Sequence, residues 1–270
     1  GSYFVANYPP FSFWKDDRLL SVQEMLDREP SPEVPLGLYL HVPFCRKRCK
    51  FCYFRVYTDK NSSQVQRYLN ALVKETALLA KRPALKRALR FVYFGGGTPS
   101  FLSTAQLESL VSGLDASISW AEAEEITFEC EPGTLSERKV QALKALGITR
   151  LSLGIENFDD AVLEENGRAH LSAEIYRCWE WIQSADFPSV NIDLIAGMVG
   201  ETDENWERNI EETLRLTPGS VTIYQMELPY NTVYSREVLE EGQNLKVASW
   251  SKKRGWVRRA FERFQAAGYH

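Results

Sequence analysis

Six times along this chain an apolar, strand-like run gives way to a helix-like one. The strand-like runs are Leu36–Val42, Arg90–Phe94, Glu125–Cys130, Arg150–Ile155, Ser189–Ile195 and Ser220–Leu228. The helix-like runs are Gln64–Lys81, Thr104–Leu114, Ser136–Leu146, Asp159–Glu165, Ser172–Ser184, Asp203–Leu216 and, last, Ser249–Ala267. Ser136 is placed to cap one helix and Gly147 to end it, while Thr202-Asp203 opens a later helix that Pro218-Gly219 closes. Such alternation implies parallel strands joined by right-handed crossovers. The Val, Ile and Leu content of several strands suits a sheet covered on both faces. A doubly wound sheet and a barrel, complete or partial, both fit, and either places its ligands at the C-terminal strand ends.

With 270 residues, 44% hydrophobic and 25% charged, the chain has room for one large core or two small ones. A net charge of -4 argues against wholesale nucleic-acid binding. No apolar run approaches the roughly 20 residues that span a bilayer, and no signal pattern opens the chain, so a cytoplasmic setting is expected. Gly1-Ser2 reads as an expression scar. Residues 1–35 read as an irregular strap whose Trp14 and phenylalanines would bury against a scaffold, with Glu29–Pro35 a connecting loop.

Directly after the first strand stand Cys45, Cys49 and Cys52, spaced C-x3-C-x2-C. Three thiolates this close can hold three corners of a cubane iron–sulfur cluster and leave one iron open. A structural zinc would need a fourth ligand; His41 is the near one, but no second C-x2-C pair exists. A redox dithiol of Cys49 and Cys52 would leave Cys45 idle. Cys130 and Cys178 stand alone and read as buried small hydrophobes. The other strand ends also carry chemistry: Gly95-Gly96-Gly97-Thr98-Pro99 after the second strand, Glu129-Cys130-Glu131-Pro132 at the third, Gly154-Ile155-Glu156-Asn157 at the fourth, Asn191 and Asp193 in the fifth, and Tyr224, Gln225 and Glu227 in the sixth. The glycines can bring bare backbone against a ligand, and they form neither a P-loop nor a dinucleotide fingerprint.

With the cysteine loop after the first strand and Gly95–Pro99 after the second, the chain resembles the radical S-adenosylmethionine superfamily. Tyr39–Cys45, Arg150–Ile155, Gly167-Arg168-Ala169-His170 and Asn191–Gly197 resemble its branch of oxygen-independent coproporphyrinogen III oxidase, haem chaperones and class C radical methyltransferases and cyclopropanases. The resemblance implies a partial (β/α)6, TIM-like barrel over residues 36–230, followed by a C-terminal helical segment, 231–270, that would lead into a further domain. It implies a [4Fe–4S] cluster on Cys45, Cys49 and Cys52, whose open iron is chelated by S-adenosylmethionine. One-electron cleavage then gives a 5′-deoxyadenosyl radical. It further implies that Tyr39, Phe51, Gly96, Gly97, Thr98, Glu129, Glu156, Arg168 and Asp193 contact cofactor, and that two S-adenosylmethionine molecules bind.

Two departures bear on the reaction. The oxidase has a further cysteine where this chain has Phe54, and a glutamine where it has Glu156. Glu156 is therefore a candidate cofactor ligand and a candidate base. These differences favour methyl or methylene transfer to a small organic substrate over porphyrinogen decarboxylation; a haem chaperone is a non-catalytic alternative. Arg46, Lys47, Arg48, Lys50 and Arg55 form a basic collar that could steer an acidic ferredoxin or flavodoxin, or simply be a solvated loop. The basic and aromatic final helix reads as a core face with a charged back rather than a nucleic-acid surface.

Overall fold

The computed structural model of the chain describes residues 13–31, 33–242 and 245–270. Gly1-Ser2, the start of the expected strap and Pro32 of the expected loop lie outside the described residues. In chain order come α1 (Leu19–Leu26), β1 (Leu36–Val42), α2 (Ser62–Leu79), β2 (Leu89–Gly96), α3 (Thr104–Asp115), β3 (Glu125–Cys130), α4 (Glu137–Ala145) and β4 (Arg150–Glu156). They are followed by α5 (Asp160–Glu165), α6 (Ser172–Ala185), β5 (Ser189–Ala196), α7 (Asp203–Leu216), β6 (Ser220–Gln225), α8 (Val233–Glu241) and α9 (Trp250–Ala266).

The strands run in the order β1-β2-β3-β4-β5-β6, and every neighbouring pair is parallel. A doubly wound sheet reverses its strand order at a switch point; this one never does. Right-handed crossovers that always advance the same way leave their helices on one side, so the sheet curls. β1 and β6 do not pair, and the result is an open, partial α/β barrel.

Only the helix side of the sheet is apolar, which corrects the expectation of two covered faces. Leu40, Val42, Val92, Phe94, Ile126, Phe128, Leu151, Leu153, Ile192 and Leu194 lie buried against the helices. The alternate residues, Tyr39, His41, Tyr93, Glu129, Ser152, Asn191, Asp193 and Thr222, face inward and bond one another or stack. The period of two puts every second residue on the same face. A polar inner face is what an open barrel that receives a ligand requires.

Helix starts follow their caps. Asn61 with Gln64 and Ser103 with Gln106 form capping boxes for α2 and α3. Ser136, Thr202 and Ser249 cap α4, α7 and α9. Gly147 takes a positive φ of 83° where α4 ends. α9 packs on α7, β5 and β6. It buries Trp256, Ala260 and Phe264, while Arg259 and Arg263 pair with Glu207.

The N-terminal segment differs from its expected form. Leu19–Leu26 is helical, and Phe13 and Trp14 are 70% and 58% exposed rather than buried. α1 reaches the barrel chiefly at the Pro83–Leu85 turn, where Arg82 holds Asp27 at 3.0 Å. The sixth strand is shorter than the apolar run suggests: its ladder ends where Met226 N–H donates to Ala196 O.

Candidate active site at the mouth of the open barrel

The cysteine loop leaves β1 at its C-terminal end and turns over the mouth. Cys45 is buried, Cys49 and Cys52 are half-buried, and all three are free thiols. Thr98 Oγ1 lies 3.3 Å from Cys45 Sγ, and Arg168 Nη1 lies 3.3 Å from Cys49 Sγ. Burial pushes the Cys45 thiol up to about 11, with the Cys49 and Cys52 charges adding to the shift, so the three sulfurs share one locality. Among the described residues, no three His, Cys, Asp or Glu side chains are gathered tightly enough for a single ion, these cysteines included. A cubane binds its cysteines through different irons, which spreads the sulfurs wider than one ion's ligand shell does.

The glycine run first makes room for the chain's own atoms. Gly95 and Gly96 belong to the β2 ladder, opposite His41 and Val42. A Cβ on Gly95 would stand 3.1 Å from Glu129 Oε1. On Gly96, whose φ is +121°, it would stand 2.8 Å from His41 Nδ1. On Gly97 it would stand 2.9 Å from Cys45 Sγ. His41, the residue weighed as a zinc ligand, receives or donates to Tyr39 OH at 3.2 Å.

Three carboxylates face the same space. Glu129 accepts from Tyr93 OH at 2.8 Å and from Gly96 N–H at 3.1 Å. Asp193 accepts from Ser152 Oγ and Asn191 Nδ2, both at 2.9 Å. Glu156 ends β4 in a left-handed conformation, φ 68°, at a bulge in the β4–β5 ladder. That turn swings its carboxylate beside Arg168, 3.7 Å away, and leaves Oε2 buried without a partner. Burial pushes Glu129 and Glu156 each up to about 7, and raises Asp193. Mutual repulsion adds to it, because Glu156 feels both Asp193 and Glu129. Against burial, which opposes its charge, Arg168 is held protonated by Cys49, Glu156 and Glu131.

Tyr39 stacks on Tyr93 with centroids 5.9 Å apart. Phe51 packs instead into a small apolar cluster with Val162, Ile195, Met198 and Met226 at the other side of the mouth. Phe54 is 47% exposed and its ring lies 4.4 Å from that of Tyr53. Cys130 and Cys178 lie in the apolar core with sulfur–carbonyl contacts only.

Sequence reading missed a second network. Glu131 accepts from Arg46 Nη2 at 3.3 Å and from Gly133 N–H at 3.0 Å, and meets His170 Nδ1 at 2.9 Å. His170 Nε2 lies 3.2 Å from Ile155 O. Although burial opposes its charge, Glu131 is held down to about 2 by His170, Arg168 and Arg46. The basic collar is thus largely engaged. Arg46 also donates to Ala169 O, Arg48 donates to Cys52 O, and Lys50 pairs with Glu165. Arg46, Lys47 and Arg55 are its exposed members, and Arg55 lies over the Tyr57 ring. The cue was present, a cation directly after Cys45 and Glu131 directly after the third strand, but the two lie 85 residues apart.

Fold and site together define a class, an open α/β barrel with three thiols and a cation-seeking acidic pocket at its mouth. A model of the Radical SAM superfamily matches residues 39–213, and the chain belongs to that superfamily. It matches the branch of oxygen-independent coproporphyrinogen III oxidase. The oxidase of Synechocystis sp. is 32% identical over 192 residues, covering 71% of this chain and 41% of that protein. The heme chaperone HemW of the same organism is 31% identical over 242 residues, covering 88% of this chain and 58% of the relative. The solved coproporphyrinogen III oxidase of Escherichia coli superposes with a TM-score of 0.86 at 26% identity, over 99% of this chain and 60% of that one. The chain thus spans about half the length of the curated relatives it matches. Membership of the superfamily implies a [4Fe–4S] cluster and S-adenosylmethionine, and the donor set at the mouth fits both: three free thiols on one loop, and carboxyl groups in excess of cations. Among the described residues, no helix is long and apolar enough to cross a membrane.

Proposed function

We propose that Cys45, Cys49 and Cys52 hold the cluster, and that the chain uses one S-adenosylmethionine as radical source and a second as one-carbon donor to a small organic substrate. When bound, the cluster supplies the electron that cleaves the sulfonium to methionine and a 5′-deoxyadenosyl radical. The observation that carries this reading is the set of acids at the mouth: Glu129, Glu156 and Asp193 converge there with Arg168 as the guanidinium beside them, and burial raises all three. Burial draws these acids toward their protonated forms, and a ligand with sulfonium and ammonium groups favours the carboxylates instead; two such ligands suit three acids better than one. Glu156 is central, since its free Oε2 can accept from an ammonium or take a proton. Arg168 orients Glu156 and offers a donor to a ligand carboxylate. Gly97 and Thr98 hold the Cys45 side of the pocket. Tyr39 and Phe51 line its apolar flanks, and Gly96 fixes Glu129.

Coproporphyrinogen oxidase-like decarboxylation is the second reading, favoured by the overlap with the E. coli oxidase across nearly the whole chain. A haem delivered by the chain would have to draw on His41 or His270, because His170 is fully buried against Glu131. A ferredoxin or flavodoxin as electron donor would meet Lys47 and Arg55 rather than the whole collar. The test is product analysis with methyl-deuterated S-adenosylmethionine under reducing, oxygen-free conditions. Methyl transfer requires S-adenosylhomocysteine alongside 5′-deoxyadenosine; 5′-deoxyadenosine alone, with consumption of coproporphyrinogen, supports the oxidase reading instead.

A further inference from the structure

The open seam of the barrel separates β1 from β6, yet the loops that leave these strands meet above it. Arg48 Nη2 donates to two carbonyls, Cys52 O and Asn231 O, each at 3.1 Å. Asn231 Nδ2 donates to Tyr53 O at 2.7 Å. Three residues on, Tyr234 N–H donates to Lys50 O at 3.2 Å, and Lys50 Nζ lies 5.2 Å from the Tyr234 ring centroid. Tyr234 is buried, and its OH donates to Glu165 O at 2.8 Å. Thr232, the buried N-cap of α8, sets the start of that helix by accepting from Ser235 N–H, so Asn231 sits just ahead of a fixed helix end.

These bonds fall on the backbone at the third cysteine. The carbonyls of Cys52 and Tyr53 are taken by Arg48 and by the Asn231 amide, which fixes the peptide planes around Cys52. Cys45 and Cys49 are held from the other side, by Thr98 and Arg168. We infer that Asn231, with Arg48, is a positioning latch: it reaches across the seam from the β6 side and sets the place of Cys52, and so the stability and potential of the cluster. The inference rests on the reading that the three cysteines hold that cluster. Hydrogen bonding and charge near the ligating sulfurs set cluster potentials, and residues behind the ligands tune both affinity and potential.

The test compares the anaerobically reconstituted full chain with Asn231→Ala, Asn231→Asp and, as a neighbouring control, Tyr230→Ala, whose side chain is 85% exposed. Iron per chain, chelator-driven loss of iron and midpoint potential are measured, with far-ultraviolet circular dichroism and thermal melting as folding controls. Asn231→Ala is expected to lose iron about fivefold faster, the factor for one net hydrogen bond. Asn231→Asp places a carboxylate against Tyr53 O and is expected to lower the potential and to lose iron faster still. Tyr230→Ala matches wild type in both. If wild type itself binds no cluster, the reading beneath the inference fails. If wild type binds one and both Asn231 variants match it in potential and iron loss, the latch is overturned while that reading stands.

Discussion

Arg168 and Cys49 meet at 3.3 Å, with Nη1 of the guanidinium as donor to Sγ. The same guanidinium donates through Nη2 to Gly154 O and stands 3.7 Å from the Glu156 carboxylate. One side chain thus joins the thiol loop to the end of β4, and both ionic partners are largely buried.

Arg168→Ala leaves Glu156 as an unpaired buried charge. Urea unfolding of the cluster-free chain at pH 8 is expected to show a loss of about 3 kcal/mol, the usual cost of breaking a buried pair from one side. The Arg168→Ala/Glu156→Gln double variant recovers part of that loss, because no lone charge remains. Arg168→Lys falls between, lacking the fork that reaches two partners at once.

Gly97→Ala tests the packing around Cys45. The added methyl would stand 2.9 Å from the sulfur and 3.0 Å from Phe44 O, so the cysteine or the backbone must move. The chain is expected to fold with a loss of about 1–3 kcal/mol. Its iron and sulfide per chain after reconstitution fall well below wild type, whereas Gly255→Ala, on α9 with nothing near its Cβ, keeps them.

The barrel was legible because strand-like and helix-like runs alternate six times and its helices carry caps. Strand β3 and helix α7 lie at the residues the sequence reading assigns them. The carboxylates of the mouth were legible as strand-end residues. Three things were not. The conformation of Glu156 is not, since a left-handed glutamate at a bulge is set by its neighbours on β5 and by Arg168 rather than by local propensity. Nor are the bounds of α8 within the helical segment expected at 231–270, although its Thr232 cap and closing Gly242 were present. The role of the collar was also hidden: Arg46, Arg48 and Lys50 read as a surface charge patch, yet their partners Glu131, Asn231 and Glu165 lie 85 to 183 residues away. Exposure of Phe13 and Trp14 shows the limit of composition, since aromatic content says what would gain from burial and not what lies near enough to bury it.

Stability should fall with rising pH. Glu129 has an ordinary value of 4.5 and is pushed up to about 7 by burial, so between these values the folded chain keeps a proton the unfolded chain has released. The stabilising contribution is complete below about 4.5 and is lost as pH rises through about 7. Urea midpoints from pH 5 to 8 are expected to decline in the ligand-free chain. Glu129→Gln removes about 3 kcal/mol of that slope; an unchanged slope contradicts the assignment.

The Glu131–His170 pair predicts the opposite trend in acid. Glu131 sits near 2, below its ordinary value of 4.5, so the stability it lends is present above about 4.5 and is lost as pH falls toward 2. His170→Ala strips the carboxylate of its nearest partner and leaves Ile155 O without its imidazole contact. A loss of about 2–3 kcal/mol at pH 7 is expected, with the acid-unfolding midpoint moved to higher pH. Equal acid midpoints in wild type and variant would contradict it.

The most direct measurement is single-turnover chemistry at the mouth. The full chain is reconstituted with iron and sulfide without oxygen, checked by electron paramagnetic resonance for a reduced [4Fe–4S] signal, and given S-adenosylmethionine and dithionite. Wild type is expected to form methionine and 5′-deoxyadenosine in step, while Cys52→Ala and Arg168→Ala form little or none. An intact cluster that binds S-adenosylmethionine and yields no 5′-deoxyadenosine would contradict the account.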